Sequence, residues 1–511
     1  MRFPTMLLFL FFNLILISYS VAQPNILLVI ADDVGVDPIP NYTPNTVKAN
    51  MPNLEGLMSE GLTFDNAWSN PLCSPTRATI LTGKYGFRTN VLNAQGLNTL
   101  SLDETSLHVY IDQSSNGNYS SSLIGKWHLG GNSNQLSEYP NELGIEYFAG
   151  LMSGGVMDYY DWDLTINGQS TNTTEYITTK FTDLAIDWIN DQNEPWFCWL
   201  AYNAPHTPFH LPPLEMHSQG DLPTDQASID ANPLPYYLAM LESVDYEMGR
   251  LFENIPSDVL ENTVIIFIGD NGTPRQVIQN PYALSQSKGS LYQGGVHVPM
   301  VISGKGVNRQ NEREEALVNM SDLFATIVEL TGTTLDEIHD SYSIEHLLNE
   351  ATGGLRDCAY TEAVSSGNSP SGWTARDETF KLINFEDDPN EFYNLIEDPY
   401  EKNNLLVGAL NSSEQASFDK LINVFDDLST PVSEVDFPNE ILIAYPNPTP
   451  NELFLEWSES NKSTYSIVDV SGRILGKGIL NQGMNTIGVG HLDAGVYFLK
   501  TEHQFLKFLK M

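Results

Sequence analysis

The stretch Asn25-Ile26-Leu27-Leu28-Val29-Ile30-Ala31-Asp32-Asp33 sets the reading of this chain. Its apolar run is short, lacks helical spacing and is bounded by polar residues, so it reads as a strand buried on both faces that delivers two carboxylates at its carboxyl end. Three further runs repeat the design. Ser121-Ser122-Leu123-Ile124-Gly125 leads into Lys126-Trp127-His128, Trp196 to Tyr202 leads to Asn203-Ala204-Pro205-His206, and Thr263-Val264-Ile265-Ile266-Phe267-Ile268 leads to Asp270-Asn271. Helix-like segments alternate with such runs from Asn25 to about Gly306, which predicts βαβ units around a largely parallel sheet. Ligands in open α/β sheets bind outside the carboxyl ends of the strands. Carboxylates, an amide, a lysine and histidines are therefore expected on one edge.

The rest of the chain divides around this block. Arg2, the apolar run from Met6 to Ile17 and Ser20-Val21-Ala22 before Gln23 form the three parts of a signal peptide over residues 1–22. No later run reaches the roughly 18 apolar residues of a membrane-spanning helix, so no transmembrane anchor is expected. We read 23–350 as a main catalytic domain and 351–430 as a smaller α+β subdomain of short strands followed by an amphipathic helix over Ser413–Leu428. A linker at 431–439 precedes a strand-and-turn segment at 440–511.

Composition narrows the function. The net charge is −41, from 65 acidic and 24 basic residues spread along the 511-residue chain, and this argues against nucleic acid, whose phosphates need clustered Lys and Arg. An anionic substrate would need a local positive pocket, to which a bound cation can contribute. Three cysteines do not make a disulfide scaffold. Cys198 and Cys358 read as buried thiols or as one pair, which leaves Cys73.

Cys73-Ser74-Pro75-Thr76-Arg77-Ala78-Thr79-Ile80-Leu81-Thr82-Gly83 reads as the start and body of a helix, with Ser74 as N-cap, Pro75 at the first position and Gly83 near the end. Cys73 then lies at the positive end of the helix dipole, where anions bind, and Arg77 one turn on can hold the residue at 73 or a bound anion. By position alone, a buried structural thiol is the plainer reading. Asp32, Asp33, Asp270 and Asn271 offer the hard oxygen ligands that suit calcium, or magnesium with tighter geometry.

Read whole, Cys-x-Pro-x-Arg followed by Leu-Thr-Gly resembles the signature of type I sulfatases of the alkaline phosphatase superfamily. The resemblance runs over roughly residues 24–430, through Asp32-Asp33, Gly125-Lys126-Trp127-His128-Leu129-Gly130, Pro205-His206-x-Pro208, Asp270-Asn271-Gly272, Lys288-Gly289-Ser290-Leu291-Tyr292-Gln293-Gly294-Gly295 and Asn390 to Leu395. It implies an alkaline-phosphatase-like mixed sheet flanked by helices. It also implies that a maturation enzyme oxidises Cys73 to formylglycine in the unfolded chain, and that the modified residue joins Asp32, Asp33, Asp270 and Asn271 around one divalent cation. One hydroxyl of the hydrated aldehyde attacks sulfur, and the other later expels sulfate. The resemblance assigns His128 as base, His206 and Lys288 as donors to the leaving alcohol, and Lys126 and Arg77 as stabilisers of formylglycine and developing charge.

His297 departs from the pattern, since relatives commonly have arginine there. His210, Trp162, Tyr159, Tyr160 and Arg275 are sugar-contact candidates that read equally well as packing. The tail, with Tyr445-Pro446-Asn447-Pro448, Ile467 to Arg473 and Leu492 to Lys500, resembles the type IX secretion sorting domains of Bacteroidetes and implies a terminal β-sandwich used by that export machinery; an appended carbohydrate-binding sandwich is the alternative. Together these readings give an exported sulfatase acting on a large sulfated carbohydrate such as ulvan, carrageenan or a fucose-rich polymer. The rivals are a phosphodiesterase or phosphonate hydrolase of the same superfamily and a non-catalytic glycan binder.

Overall fold

In a computed structural model, described for residues 23–429 apart from 116, 131–136, 334–336 and 366–369, and in the tail for 444–445, 449, 451–457, 463–469, 474–492, 495–500 and 505–510, the run that opens the chain is a central strand. β1 (Asn25–Ala31) is buried at every position and lies between two parallel neighbours, β7 (Trp196–Ala201) and β8 (Thr263–Gly269). A strand covered on both faces has no polar face to show, hence its continuous hydrophobicity.

The sheet has ten strands in the order β10-β2-β9-β8-β1-β7-β3-β4-β5-β6. The others are β2 (Gly61–Trp68), β3 (Ser120–Lys126), β4 (Tyr147–Leu151), β5 (Trp162–Ile166), β6 (Gln169–Thr173), β9 (Met300–Gly304) and β10 (Glu312–Asn319). The five central strands β8-β1-β7-β3-β4 are parallel, as expected. The flanks mix directions: β9 runs antiparallel to both β8 and β2, β10 pairs parallel with β2, and β5 runs antiparallel to both β4 and β6, with which it forms a hairpin. That hairpin turns on Asn167-Gly168, both with positive φ, a two-residue turn that only antiparallel strands can use.

Apolar side chains cover both faces, one layer including Ile26, Leu28, Phe197 and Ile266, the other Leu27, Val29, Leu200 and Phe267. Register brings the strand ends level, with Ile30 opposite both Ala201 and Ile268, and Ala31 opposite Gly269. Gly125 sits where β3 meets β7, at φ +111°, and a Cβ there would stand 1.9 Å from the Ala201 carbonyl oxygen. Only glycine lets β3 close against β7 just before Lys126.

Residues 359–394 form a four-stranded antiparallel sheet, and Tyr360, Leu382 and Phe392 pack with Phe418, Leu421 and Val424 from the following helices. The single helix expected over Ser413–Leu428 is two, Ser412–Leu421 and Val424–Leu428. At the break Asn423 Nδ2 donates to the Asp419 carbonyl at 2.7 Å, a side-chain bond that competes with helix continuation.

The chain separates into compact units at residues 1–430 and 431–511. In the second, a three-stranded and a four-stranded sheet share a core of Leu453, Leu455, Ile487, Ile467, Leu480 and Leu499. The signal peptide, the linker, Pro446-Asn447-Pro448, Val470 to Arg473 and Asp493-Ala494 lie outside the described residues. Among the described residues no helix is long and apolar enough to cross a membrane.

Candidate active site

The helix that carries Cys73 spans Cys73–Thr82 and closes on Gly83 in the left-handed region, whose N–H donates to the Thr79 carbonyl. Ser74 is not its N-cap, because the helix begins one residue earlier, with Leu72 at the cap position. Ser74 Oγ instead donates to the His128 carbonyl at 2.8 Å, tying the helix start to the end of β3. Cys73 is buried, and its Sγ lies 3.2 Å from His128 Nδ1.

The carboxylates arrive from the two neighbouring strand ends. Asp32, Asp33 and Asp270 are all buried and present oxygens within 4.8 Å of one another. The Asp33 N–H donates to Asp270 Oδ1 at 3.0 Å, and Asn271 Nδ2 donates to Asp33 Oδ1 at 2.9 Å. Three cations oppose this charge. Lys126 Nζ pairs with Asp32 Oδ2, Lys288 Nζ with Asp33 Oδ1 at 2.5 Å, and Arg77 with Asp270 Oδ2 at 2.8 Å while also donating to the Lys126 carbonyl. His206 Nε2 stands 4.0 Å from Asp33 Oδ2. All ten residues expected at the site thus meet in one place, drawn from six segments of the chain.

Two oxygens are left over. Asp32 Oδ1 and Asn271 Oδ1 are buried and accept no hydrogen bond. Unpaired buried acceptors are costly, and hard oxygens beside converging carboxylates fit a divalent cation such as calcium.

The electrostatics follow from burial. Desolvation raises the Asp32 carboxyl well above its usual range, and Asp270 adds to this against Lys126. Burial works the same way on Asp33, but Lys288, His206 and Lys126 override it and hold that carboxyl below its usual range. Burial would lower Lys288, yet Asp33 keeps it above the ordinary lysine value and protonated. His128 is pushed well down by burial, Lys126, Arg77 and Lys288, and His206 to about 3 by burial and Lys126, so both rings are neutral near pH 7.

Several supports are invisible in the sequence. Thr273 Oγ1 accepts the Gly35 N–H at 3.2 Å and donates to Asp37, pinning the loops after β8 and β1 together, and the Tyr237 hydroxyl donates to the Asp33 carbonyl at 2.9 Å. Gly154 and Gly155 pack on His128 and His206; a Cβ on Gly154 would lie 2.3 Å from His128 Cε1 and Nε2. His297 lies elsewhere, bonded through Nε2 to the Asp65 carbonyl at 2.8 Å and edge-on to Tyr42. Cys198 is buried in β7 with its thiol pushed up to about 12 by burial, whereas Cys358 is half-buried rather than buried; both are free, so the two do not pair.

Scaffold and site define a class: α/β proteins that can hold a divalent cation against a helix-start residue. The chain belongs to the sulfatase family, whose sequence pattern it matches over residues 24–333. Residues 286–427 match the C-terminal domain of N-sulphoglucosamine sulphohydrolase, and 443–510 match the secretion system C-terminal sorting domain, which indicates secretion. An uncharacterised sulfatase of Escherichia coli (strain K12) is 27% identical over 61% of this chain and 63% of its own length. A sulfatase of Formosa agariphila is 26% identical over 77% and 86%. With the E. coli protein and with mouse arylsulfatase J, the match spans less than two thirds of the relative's length. The crystal structure of Ps i-CgsB in complex with k-i-k-neocarrahexaose superposes with a TM-score of 0.66 at 24% identity, covering 80% of this chain and 93% of that one. The ten-stranded mixed sheet is thus the alkaline-phosphatase-like sulfatase fold.

Proposed function

We propose that this is an exported sulfatase that hydrolyses sulfate esters through a formylglycine formed from Cys73. The observation that carries the reading is the meeting of Cys73, the carboxylate cluster, three cations and two neutral imidazoles at one buried strand edge. Residues 23–350 are the catalytic domain and 351–430 its subdomain; 1–22 and 440–511 serve export, with 431–439 as linker.

Asp32, Asp33, Asp270, Asn271 and the residue derived from Cys73 would hold one divalent cation, calcium or alternatively magnesium, which would supply positive charge that makes the ester sulfur more electrophilic. Formylglycine, as a hydrated aldehyde, supplies one hydroxyl as nucleophile and a second whose ionisation releases sulfate. The chain's own groups do the rest. His128, neutral and with Nδ1 against residue 73, takes a proton from that residue. Lys288 holds the proton needed by the leaving alcohol, and neutral His206 beside it is suited to pass a proton on. Arg77 and Lys126 offset negative charge as it develops.

The substrate is a sulfated algal polysaccharide or its oligosaccharides, of the ulvan, carrageenan or fucose-rich kind. Secretion supports a large external substrate, and a protein of this fold was crystallised with a neocarrahexaose. The test is mass spectrometry of the Cys73 peptide from protein made with a formylglycine-generating enzyme, run beside sulfate release from those three glycans. Aldehyde at position 73 with sulfate release is the expected result. Conversion with phosphodiester cleavage and no sulfate release overturns it.

A further inference from the structure

We infer that Tyr160, backed by Tyr176 and His210, is the platform for the sugar whose sulfate is removed, on the same loop whose Gly155 packs against His206. The inference rests on the assignment of His206 and Lys288 to the leaving alcohol. Whatever is bonded to the leaving oxygen must then lie beside His206, since proton transfer needs hydrogen-bond reach.

The wall on that side is the loop after β4. A Cβ on Gly155 would stand 3.1 Å from His206 Cε1 and 3.2 Å from Nδ1, so the loop backbone packs directly on that edge of the imidazole, and with Nδ1 held by the Thr207 carbonyl at 2.7 Å, Nε2 is the atom left for a substrate. Further along the same loop, Tyr160 is 40% exposed, in contrast to Tyr159 and Trp162, which are buried in the core. The earlier candidates thus separate by position: two are packing, while Tyr160 faces solvent.

Tyr160 is held rigid. Its ring stacks on Tyr176 at 5.0 Å and 30°, and its N–H donates to Asp158 Oδ1 at 2.8 Å. His210 Nε2 bonds the Tyr176 hydroxyl at 3.1 Å, and the His210 ring lies 4.2 Å from that of Tyr159. The Tyr159 hydroxyl in turn donates to the His206 carbonyl at 2.5 Å. The exposed ring and the proton-passing histidine therefore belong to one fixed assembly. A preorganised aromatic surface loses little entropy when a ring settles on it.

The charge beside the platform selects the face it takes. Asp158, whose Oδ1 accepts the Tyr160 N–H at 2.8 Å, sets a carboxylate at the platform's edge. Carboxylates accept hydrogen bonds from sugar hydroxyls and repel a second sulfate. The ligand is a sugar ring that turns hydroxyls, not further sulfate, toward Tyr160.

The test compares wild type, Tyr160→Ala and Tyr160→Phe on 4-nitrophenyl sulfate and on carrageenan, ulvan and fucoidan oligosaccharides. On the oligosaccharide that the wild type desulfates fastest, Tyr160→Ala is expected to lose about tenfold more kcat/KM than on the aryl sulfate, carried by KM, equivalent to about 1.4 kcal/mol. Tyr160→Phe, which keeps the ring face, is expected to retain turnover of both. Parallel loss on the two substrates, or no loss on the oligosaccharide, overturns the subsite alone. A matured wild type that releases sulfate from neither overturns the sulfatase reading with it.

Discussion

Arg77 and Asp270 form a fully buried ion pair, 2.8 Å apart, that joins the helix after Cys73 to the end of β8. The same guanidinium donates to the Lys126 carbonyl, so one planar group fixes three strand or helix ends. A lysine cannot reproduce that fork. Arg77→Lys is expected to lower kcat by about 10²–10³-fold, as for loss of one charge-stabilising donor. Arg77→Ala strands a buried carboxylate and should also cost about 3–5 kcal/mol of stability, measurable by urea unfolding of the metal-free protein.

The carboxylate cluster predicts a metal-linked rise in stability. Asp32, Asp33 and Asp270 repel one another when empty of a cation, and a ligand bound only by the fold adds about 4 kcal/mol at a thousand times its Kd. Calcium added to chelator-treated protein should raise Tm, and Asp270→Asn should blunt the rise. Thr273→Val, which unpins the two loops, should weaken calcium binding about 10–100-fold in calorimetry.

Gly154 gives a cleaner test of geometry. The added methyl of Gly154→Ala would overlap the His128 ring at 2.3 Å, and a displacement near 1 Å at a reacting group costs about 10²-fold. The expected outcome is a fall in kcat with calcium affinity unchanged.

Away from the site, His108 sets a term in acid stability. Buried beside Phe197, it is lowered from 6.5 to about 4 by desolvation, with a hydrogen bond to the Ser122 carbonyl opposing the shift. The unfolded chain therefore takes up this proton first on acidification. The contribution is complete above about pH 6.5, falls as pH drops, and is lost below about 4, about 3 kcal/mol in all. The difference in unfolding free energy between wild type and His108→Phe, measured from pH 7 to 4, should narrow or reverse by that amount.

Much of this was legible because strand ends advertise themselves. The apolar runs before Asp32, Lys126, Asn203 and Asp270 read as buried parallel strands, and the residues after them had to share an edge. A mixed sheet was implied by the resemblance alone; which strands run antiparallel was not read from the residues, although Asn167-Gly168 marks the hairpin. The Ser74 cap failed because its hydroxyl found a partner 54 residues away, a choice no local pattern encodes. Thr273, Gly154 and Tyr159 were invisible as supports for the same reason: each acts across a long loop closure.

Cys73 is only 1% exposed, its thiol enclosed by the helix start and His128. On the proposed reading, this burial makes activity a race against folding. A modifying enzyme that arrives after the helix has docked meets a closed surface, so each molecule's fate is settled once, during synthesis. A purified batch then has a fixed active fraction that no later treatment of the native protein can raise, and its specific activity records how well translation, modification and export were matched in the cell that made it.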